Sequence, residues 1–161
     1  MLRIASAVRL LVLDFDGVMT DNRVLVAEDG HESVWCNRGD GMGIEMLRQA
    51  SVEVMVLSKE TNRVVSARCR KLKIPVVQSI DDKLTAIRDI AAQRRLTPDV
   101  IAYTGNDVND LKCMQWVGLP IAVADAEAVI LPHAAWVTPR KGGYGAVRDV
   151  CDLLLTARTP K

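Results

Sequence analysis

Four short apolar runs punctuate the chain: Leu10–Leu13, residues 52–57 with only Glu53 interrupting, residues 100–103 and residues 119–123. Continuous apolar runs of this length suit strands buried on both faces of a parallel sheet. Segments with helical spacing lie between them. Over 62–72, Val65, Cys69 and Leu72 share a face; over 83–94, Leu84, Ile87 and Ala91 do; over 144–155, Val147, Val150, Cys151 and Leu154 do. Asp81 or Asp82 stands where it can cap the second of these helices. The alternation predicts a doubly wound, Rossmann-like α/β domain with a parallel sheet. Such sheets bind ligands at the carboxyl ends of their strands. At 161 residues, 49% of them hydrophobic, the chain is long enough for one domain spanning 1–161.

One segment breaks the alternation. Val24-Leu25-Val26, then Glu28-Asp29-Gly30, then Ser33-Val34-Trp35 reads as a β-hairpin with Asp-Gly in its turn, an insertion over about 18–37 after the first strand. An isolated hairpin is marginal in water. Its apolar residues, Val24, Val26, Val34 and Trp35, have to pack either on their own domain or on another subunit.

Several classes are disfavoured. The net charge is +1, from 21 basic and 20 acidic residues, which leaves no global field to hold a nucleic acid. The longest uncharged stretches, 113–124 and 128–139, fall short of the ~20 residues of a membrane span. Arg9 and Asp14 interrupt the first apolar stretch, so no leader peptide is expected, and the cytoplasm is the default location. Cys36, Cys69, Cys113 and Cys151 form no C-x-x-C pair, and His31 and His133 stand alone, so no zinc site is signalled. Trp116 and Trp136 read as core.

The chemistry gathers at the strand ends. The first run leads into Asp14-Phe15-Asp16-Gly17, the second into Ser58-Lys59-Glu60 and the third into Gly105-Asn106-Asp107-Val108-Asn109-Asp110. Taken singly, each Asp is as readily a turn or helix-cap residue. Taken together, four carboxylates would repel one another without a cation, and hard oxygen donors favour Mg²⁺. Within Asp14-x-Asp16, one carboxylate can attack phosphorus and form an aspartyl phosphate. The other can protonate the leaving alcohol and then activate water. Ser58 can donate a hydrogen bond to a phosphate oxygen.

These motifs resemble those of the haloacid dehalogenase phosphatase superfamily. Asp14-Phe15-Asp16-Gly17-Val18-x-Thr20-Asp21 is similar to its first motif, Ser58 falls at the second, Lys83 at the third, and Gly105-Asn106-Asp107-x-x-Asp110 at the fourth. The resemblance implies Asp14 as nucleophile, Asp16 as general acid and base, and Mg²⁺ held by Asp14, the Asp16 carbonyl and Asp107. It implies phosphate binding by Ser58 and Lys83, with Asp110 and Asn106 supporting the metal or positioning Lys83. The chain is too short for a cap domain. Capless members with a hairpin after the first motif resemble the sugar-acid phosphatases, which are tetramers whose hairpins help form the assembly.

Within that branch, octulosonate 8-phosphate phosphatases usually show Gly-Arg after the second-motif Ser or Thr. This chain has Lys59-Glu60. That pair, with Ala67-Arg68-Cys69-x-Lys71-Leu72 and Lys141-Gly142-Gly143-x-Gly145, resembles the phosphatases of nine-carbon keto-deoxy acids. N-acetylneuraminate or deaminoneuraminate 9-phosphate is therefore the expected substrate, with the octulosonate 8-phosphate as the alternative. The same segments resemble the C-terminal module of CMP-sialic acid synthetases, so a tetramerisation module is the alternative of another class. Glu60, Arg68 and Lys71 are candidate substrate contacts, although Arg68 and Lys71 equally suit a solvated helix face. The glycines of residues 141–145 suit either a hinge or an anion-binding helix start.

Overall fold

A computed structural model describes residues 1–159. Six strands form one sheet in which every pairing is parallel: β1 (Leu10–Leu13), β4 (Glu53–Leu57), β5 (Val76–Val77), β6 (Ile101–Gly105), β7 (Leu119–Ala122) and β8 (Trp136–Val137). Their order across the sheet is β5-β4-β1-β6-β7-β8. The central strand β1 pairs with β4, Leu10 opposite Glu53, and with β6, Leu10 opposite Ile101.

The continuous apolar run of β1 is explained by this position. Leu11 and Leu13 face one core cluster, and Leu10 and Val12 face the other. The helices α1 (Leu2–Ala7), α2 (Arg38–Gln49), α3 (Arg63–Leu72) and α6 (Ala146–Arg158) cover the first face, through residues such as Ala5, Ile44, Val65 and Val150. The second is covered by α4 (Lys83–Gln93) and α5 (Leu111–Trp116), through Ile87, Ala91, Cys113 and Met114. Each fully buried aliphatic side chain contributes roughly 1.5–3 kcal/mol by leaving water, so the two-sided burial of β1 anchors the fold.

Helix boundaries follow local chemistry. Asn62 caps α3 by accepting from the Val64 N–H, and Asp82 caps α4 by accepting from Thr85 N–H. The last helix starts later than its periodicity predicts, because Gly145 sits at φ 105° immediately before it. Helix α2 and the two-residue edge strands β5 and β8 lie outside the sequence expectation. Trp116 and Trp136 are half-buried at the rim of the core rather than inside it. Trp116 carries the Arg88 guanidinium over its ring at 5.8 Å. Of the domain expected over 1–161, residues 160 and 161 lie outside the described residues.

The hairpin forms between β1 and α2. Strands β2 (Leu25–Val26) and β3 (Glu32–Ser33) pair antiparallel, and a bridge between Thr20 and Cys36 closes its base. Val34 and Cys36 pack on the domain. Val24, Leu25, Val26 and Trp35 do not, and Trp35 is 73% exposed. Among the described residues no helix is long and apolar enough to cross a membrane.

Candidate active site

The parallel register brings the ends of β1, β4 and β6 to one edge, where a pocket of about 340 Å³ opens. Asp14, Asp16, Ser58, Glu60, Asn106 and Asp107 all line it. Asp14 continues β1, its N–H donating to Thr104 O at 3.0 Å, so the rigid centre of the sheet fixes its carboxylate. The chain then turns sharply through Gly17, at φ 75°. A Cβ there would lie 2.0 Å from the Asn106 side-chain nitrogen, so glycine is what lets this loop and the β6 loop close on each other.

Behind the pocket lies a buried ion cluster. Lys83, first residue of α4 and 2% exposed, places Nζ 2.7 Å from Asp14 and 2.8 Å from Asp110. Asp110 is fully buried. One of its oxygens accepts from Lys83 and from the Tyr103 hydroxyl at 2.6 Å; the other accepts from Asn106 N–H at 2.9 Å and Asp107 N–H at 3.4 Å. The Asp110 carboxylate thus organises the fourth-motif loop and orients the lysine.

Burial raises the Asp14 carboxyl, and the nearby Asp110 charge adds to this, more than Lys83 lowers it. Burial also works against the Lys83 ammonium, but Asp14 and Asp110 outweigh it and lift its pKa above the ordinary value. The half-buried Asp16 carboxyl is raised by desolvation first and by Glu60 second, which suits a group that must hold a proton to give away. Thr20 Oγ donates to Asp16 at 3.5 Å and accepts from Gly17 and Asn22 N–H at 3.1 and 3.2 Å, so this hydroxyl braces the acid loop.

Ser58 is 1% exposed and accepts from Glu60 N–H. Glu60 lines the pocket, but one of its oxygens is committed to Thr61 and Asn62 N–H at 2.6 and 2.9 Å, at the entry to α3. Arg68 and Lys71 do not line the pocket of their own chain. Arg68 instead donates to Asn37 O at 2.9 Å and ties α3 to the start of α2, and Lys71 is exposed on the α3 surface. Within one chain neither is brought to the strand ends as a substrate contact.

The glycine segment at 141–145 has a third role besides the two expected. Gly143 N–H donates to Val18 O, and Gly142 N–H donates to Asp125. A Cβ on Gly142 would meet Gly17 O at 1.8 Å. The segment is therefore packed backbone to backbone against the loop that carries Asp16. Sequence reasoning gave no role to Tyr103, Thr20, Asn22 or Lys59. Tyr103 carried the one available signal, since a phenol in a strand buried on both faces must find a partner.

No three carboxylate, histidine or cysteine side chains among the described residues close around one ion unaided. Asp14, Asp16 and Asp107 nevertheless share the pocket. A few carboxylates with room for a backbone carbonyl, water and phosphate oxygens is the donor set that suits Mg²⁺, which keeps part of its hydration. It does not suit an ion that needs a full protein cage.

A model of haloacid dehalogenase-like hydrolases matches residues 44–149. The 3-deoxy-D-manno-octulosonate 8-phosphate phosphatase of Escherichia coli K12 is 39% identical over 155 residues, covering 96% of this chain and 82% of that protein. A solved structure of a protein from Streptomyces avermitilis ascribed to the HAD hydrolase family is 46% identical, with a TM-score of 0.91, covering 94% of this chain and 87% of that one. The Moraxella catarrhalis octulosonate 8-phosphate phosphatase, solved with magnesium, phosphate and the sugar acid, is 29% identical, with a TM-score of 0.95 over 98% of this chain and 91% of that one.

Proposed function

The chain belongs to the haloacid dehalogenase-like hydrolases, and on that footing we propose that it is a Mg²⁺-dependent phosphatase for a keto-deoxy sugar acid phosphate. The observation that carries the reading is one pocket lined by Asp14, Asp16 and Asp107, with the Lys83 ammonium held 2.7 Å from Asp14. The substrate the relatives favour is 3-deoxy-D-manno-octulosonate 8-phosphate, ahead of the nine-carbon acids expected from the sequence. The nine-carbon 9-phosphates remain a second reading for one reason. Glu60 stands where octulosonate phosphatases usually carry Arg, and an acidic side chain accepts from sugar hydroxyls rather than pairing with a carboxylate.

The steps follow from the side chains. An Asp14 oxygen attacks phosphorus in line with the ester oxygen, and the phosphorus–ester bond breaks as the aspartyl phosphate forms. Asp16 gives its proton to the departing alkoxide, and in the second half takes a proton from the water that cleaves the acyl phosphate. Ser58 donates a hydrogen bond to a phosphate oxygen. Lys83 orients Asp14 and balances its charge. Mg²⁺, held by Asp14, the Asp16 carbonyl and Asp107, supplies neutralisation of the charge on the transferring phosphoryl group.

The test is phosphate release with Mg²⁺ from the octulosonate 8-phosphate, the 9-phosphates of N-acetylneuraminate and its deaminated analogue, and an aryl phosphate. Asp14→Asn is the blank, and a chelator-treated sample is run beside it. The 8-phosphate is expected to be preferred. Preference for a 9-phosphate would keep the mechanism and move the specificity to Glu60. Turnover that survives Asp14→Asn would end the aspartyl-phosphate reading, whereas no Asp14-dependent release from any of the four would favour the tetramerisation module. We also infer a homotetramer with hairpins at the contact, since Leu25, Val26 and Trp35 are left exposed within one chain. A monomer by light scattering at micromolar concentration would refute it.

A further inference from the structure

A second cavity, of about 260 Å³, adjoins the catalytic pocket at the base of the hairpin. The two share Asp16, Asn22 and Glu60, and the remaining wall of the second includes Arg23 and Glu32. Carboxylates of Asp16, Glu32 and Glu60 therefore line one small space, and among its lining residues Arg23 is the one cation.

We propose that Arg23 binds the carboxylate of the substrate and so selects acidic over neutral sugar phosphates. The inference rests on the sugar-acid reading above and names the residue behind it. With the phosphate on the Asp14 side, the rest of the substrate extends either out of the mouth or into this cavity. Three carboxylates welcome hydroxyl groups as hydrogen-bond donors but repel an acid. An acid can enter only where a cation offsets them.

Arg23 is already set for the task. Asp21, whose side chain is 5% exposed, accepts from Nε at 2.9 Å and from Nη2 at 2.5 Å. Tyr144, within the glycine segment, accepts from the same Nη2 at 3.4 Å. Nη1 has no hydrogen-bond partner among the described residues. A guanidinium gripped along one edge keeps a second edge for a carboxylate, and its ordering cost is met before the substrate arrives. Asn22, at φ 63°, makes the turn that brings Arg23 to the cavity wall. Lys59 lines the mouth of the catalytic pocket instead, with Asp81 3.9 Å from its ammonium, and is the control position.

The experiment compares kcat/KM for the octulosonate 8-phosphate with that for a neutral hexose 6-phosphate. It uses wild type, Arg23→Met, Arg23→Lys and Lys59→Met, each checked for folding by thermal melt. Loss of a charge-assisted contact is expected to cut the acid-to-neutral ratio about tenfold in Arg23→Met. Arg23→Lys keeps the charge without the fork, so it should recover part of the ratio through KM. An unchanged ratio in Arg23→Met, or an equal fall for both substrates, overturns the proposal, as does a ratio that moves only in Lys59→Met. If Arg23→Met does not fold, Arg23→Lys decides: its ratio must drop through KM for the acid alone. A wild type without preference for the acid overturns both this inference and the sugar-acid reading. A preference that survives Arg23→Met overturns the inference alone.

Discussion

Asp110→Asn is the sharpest test of how the site is held together. The wild-type carboxylate, fully buried, accepts from four donors: Lys83 and Tyr103 on one oxygen, and the N–H groups of Asn106 and Asp107 on the other. An asparagine of the same shape offers one acceptor oxygen and one NH₂. With NH₂ on the loop side, it points at the Asn106 N–H, which can only donate. With NH₂ on the other side, the Tyr103 hydroxyl can turn and accept, but the Lys83 ammonium loses one of its two carboxylates and faces N–H. The second orientation is the less costly. It still forfeits a charge-assisted hydrogen bond, worth about 1.5–3 kcal/mol, and leaves a buried cation half-paired. The expected loss is about 3–5 kcal/mol, a large share of the 5–15 kcal/mol typical of a domain. Urea unfolding followed by circular dichroism at pH 7.5 in metal-free buffer reads it directly. For a slope of about 2 kcal/mol/M, the midpoint should fall by roughly 2 M with the slope unchanged. Tyr103→Phe removes one donor and keeps the ring, so it should cost about 2 kcal/mol. Because the amide has already turned the phenol round, the two changes should couple by about 1 kcal/mol or more. A loss below about 1 kcal/mol for Asp110→Asn would refute the four-donor account.

Other consequences can be checked with the same protein. Asp16→Ala removes the proton donor for an alkyl leaving group and the base for the second step. With an aryl phosphate it should release one equivalent of phenol and stall, while the sugar ester slows by about 10²–10⁴-fold; steady multiple turnover on both would exclude the role. Gly142→Ala puts a methyl into the Gly17 carbonyl, so it should lower both Tm and phosphatase turnover, whereas Gly30→Ala at the open hairpin tip, strained only by its φ of 83°, should spare turnover. Asp40, 1% exposed with one oxygen lacking any partner, has its carboxyl pushed by burial from 3.8 to about 6. Between those values the folded state holds a proton that the unfolded chain has released, so this contribution is full below pH 3.8 and lost as pH rises through 6. Relative to wild type, Asp40→Asn should therefore gain up to about 3 kcal/mol between pH 4 and pH 7.5. A gain under 1 kcal/mol in paired urea melts would contradict it.

The sequence disclosed what polarity marks and concealed what packing decides. Strand β1 was legible to the residue because both its faces are buried, so no polar alternation blurs its ends. Strands β5 and β8 were not, since two residues at a sheet edge carry no period. Helix α2 was hidden by Gly39, Gly41 and Gly43, which weaken helix propensity. The structure supplies what propensity lacks: a Cβ on Gly43 would come within 2.9 Å of Cys151 on α6, so glycine there permits close helix packing. Asp14, Asp16, Ser58 and Asp107 stood out as polar groups at the ends of apolar runs, and Lys83 through the family resemblance alone. Arg68 stood out for the same polarity, but its carbonyl partner within the chain, Asn37, is 31 residues away and invisible to spacing.

The same contrast explains how a site with an excess of carboxylates stays ordered. Its charges are fixed by a few buried partners, but its geometry is fixed by backbone. Gly17 lies against the Asn106 side chain on one side and, through its carbonyl, against Gly142 on the other. The acid loop is thus wedged between the fourth-motif loop and the segment leading into α6. That helix start is in turn held by Asp40 of α2, whose carboxylate accepts from Arg148 N–H at 2.9 Å. Elements 100 residues apart therefore converge on the turn that aims Asp16. A substitution such as Gly142→Ala, remote from the phosphate, should reach the chemistry through this wedge, lowering the rate of the acid-dependent step more than the affinity for phosphate. Inorganic phosphate inhibition that weakens in proportion to kcat would contradict that order of effects.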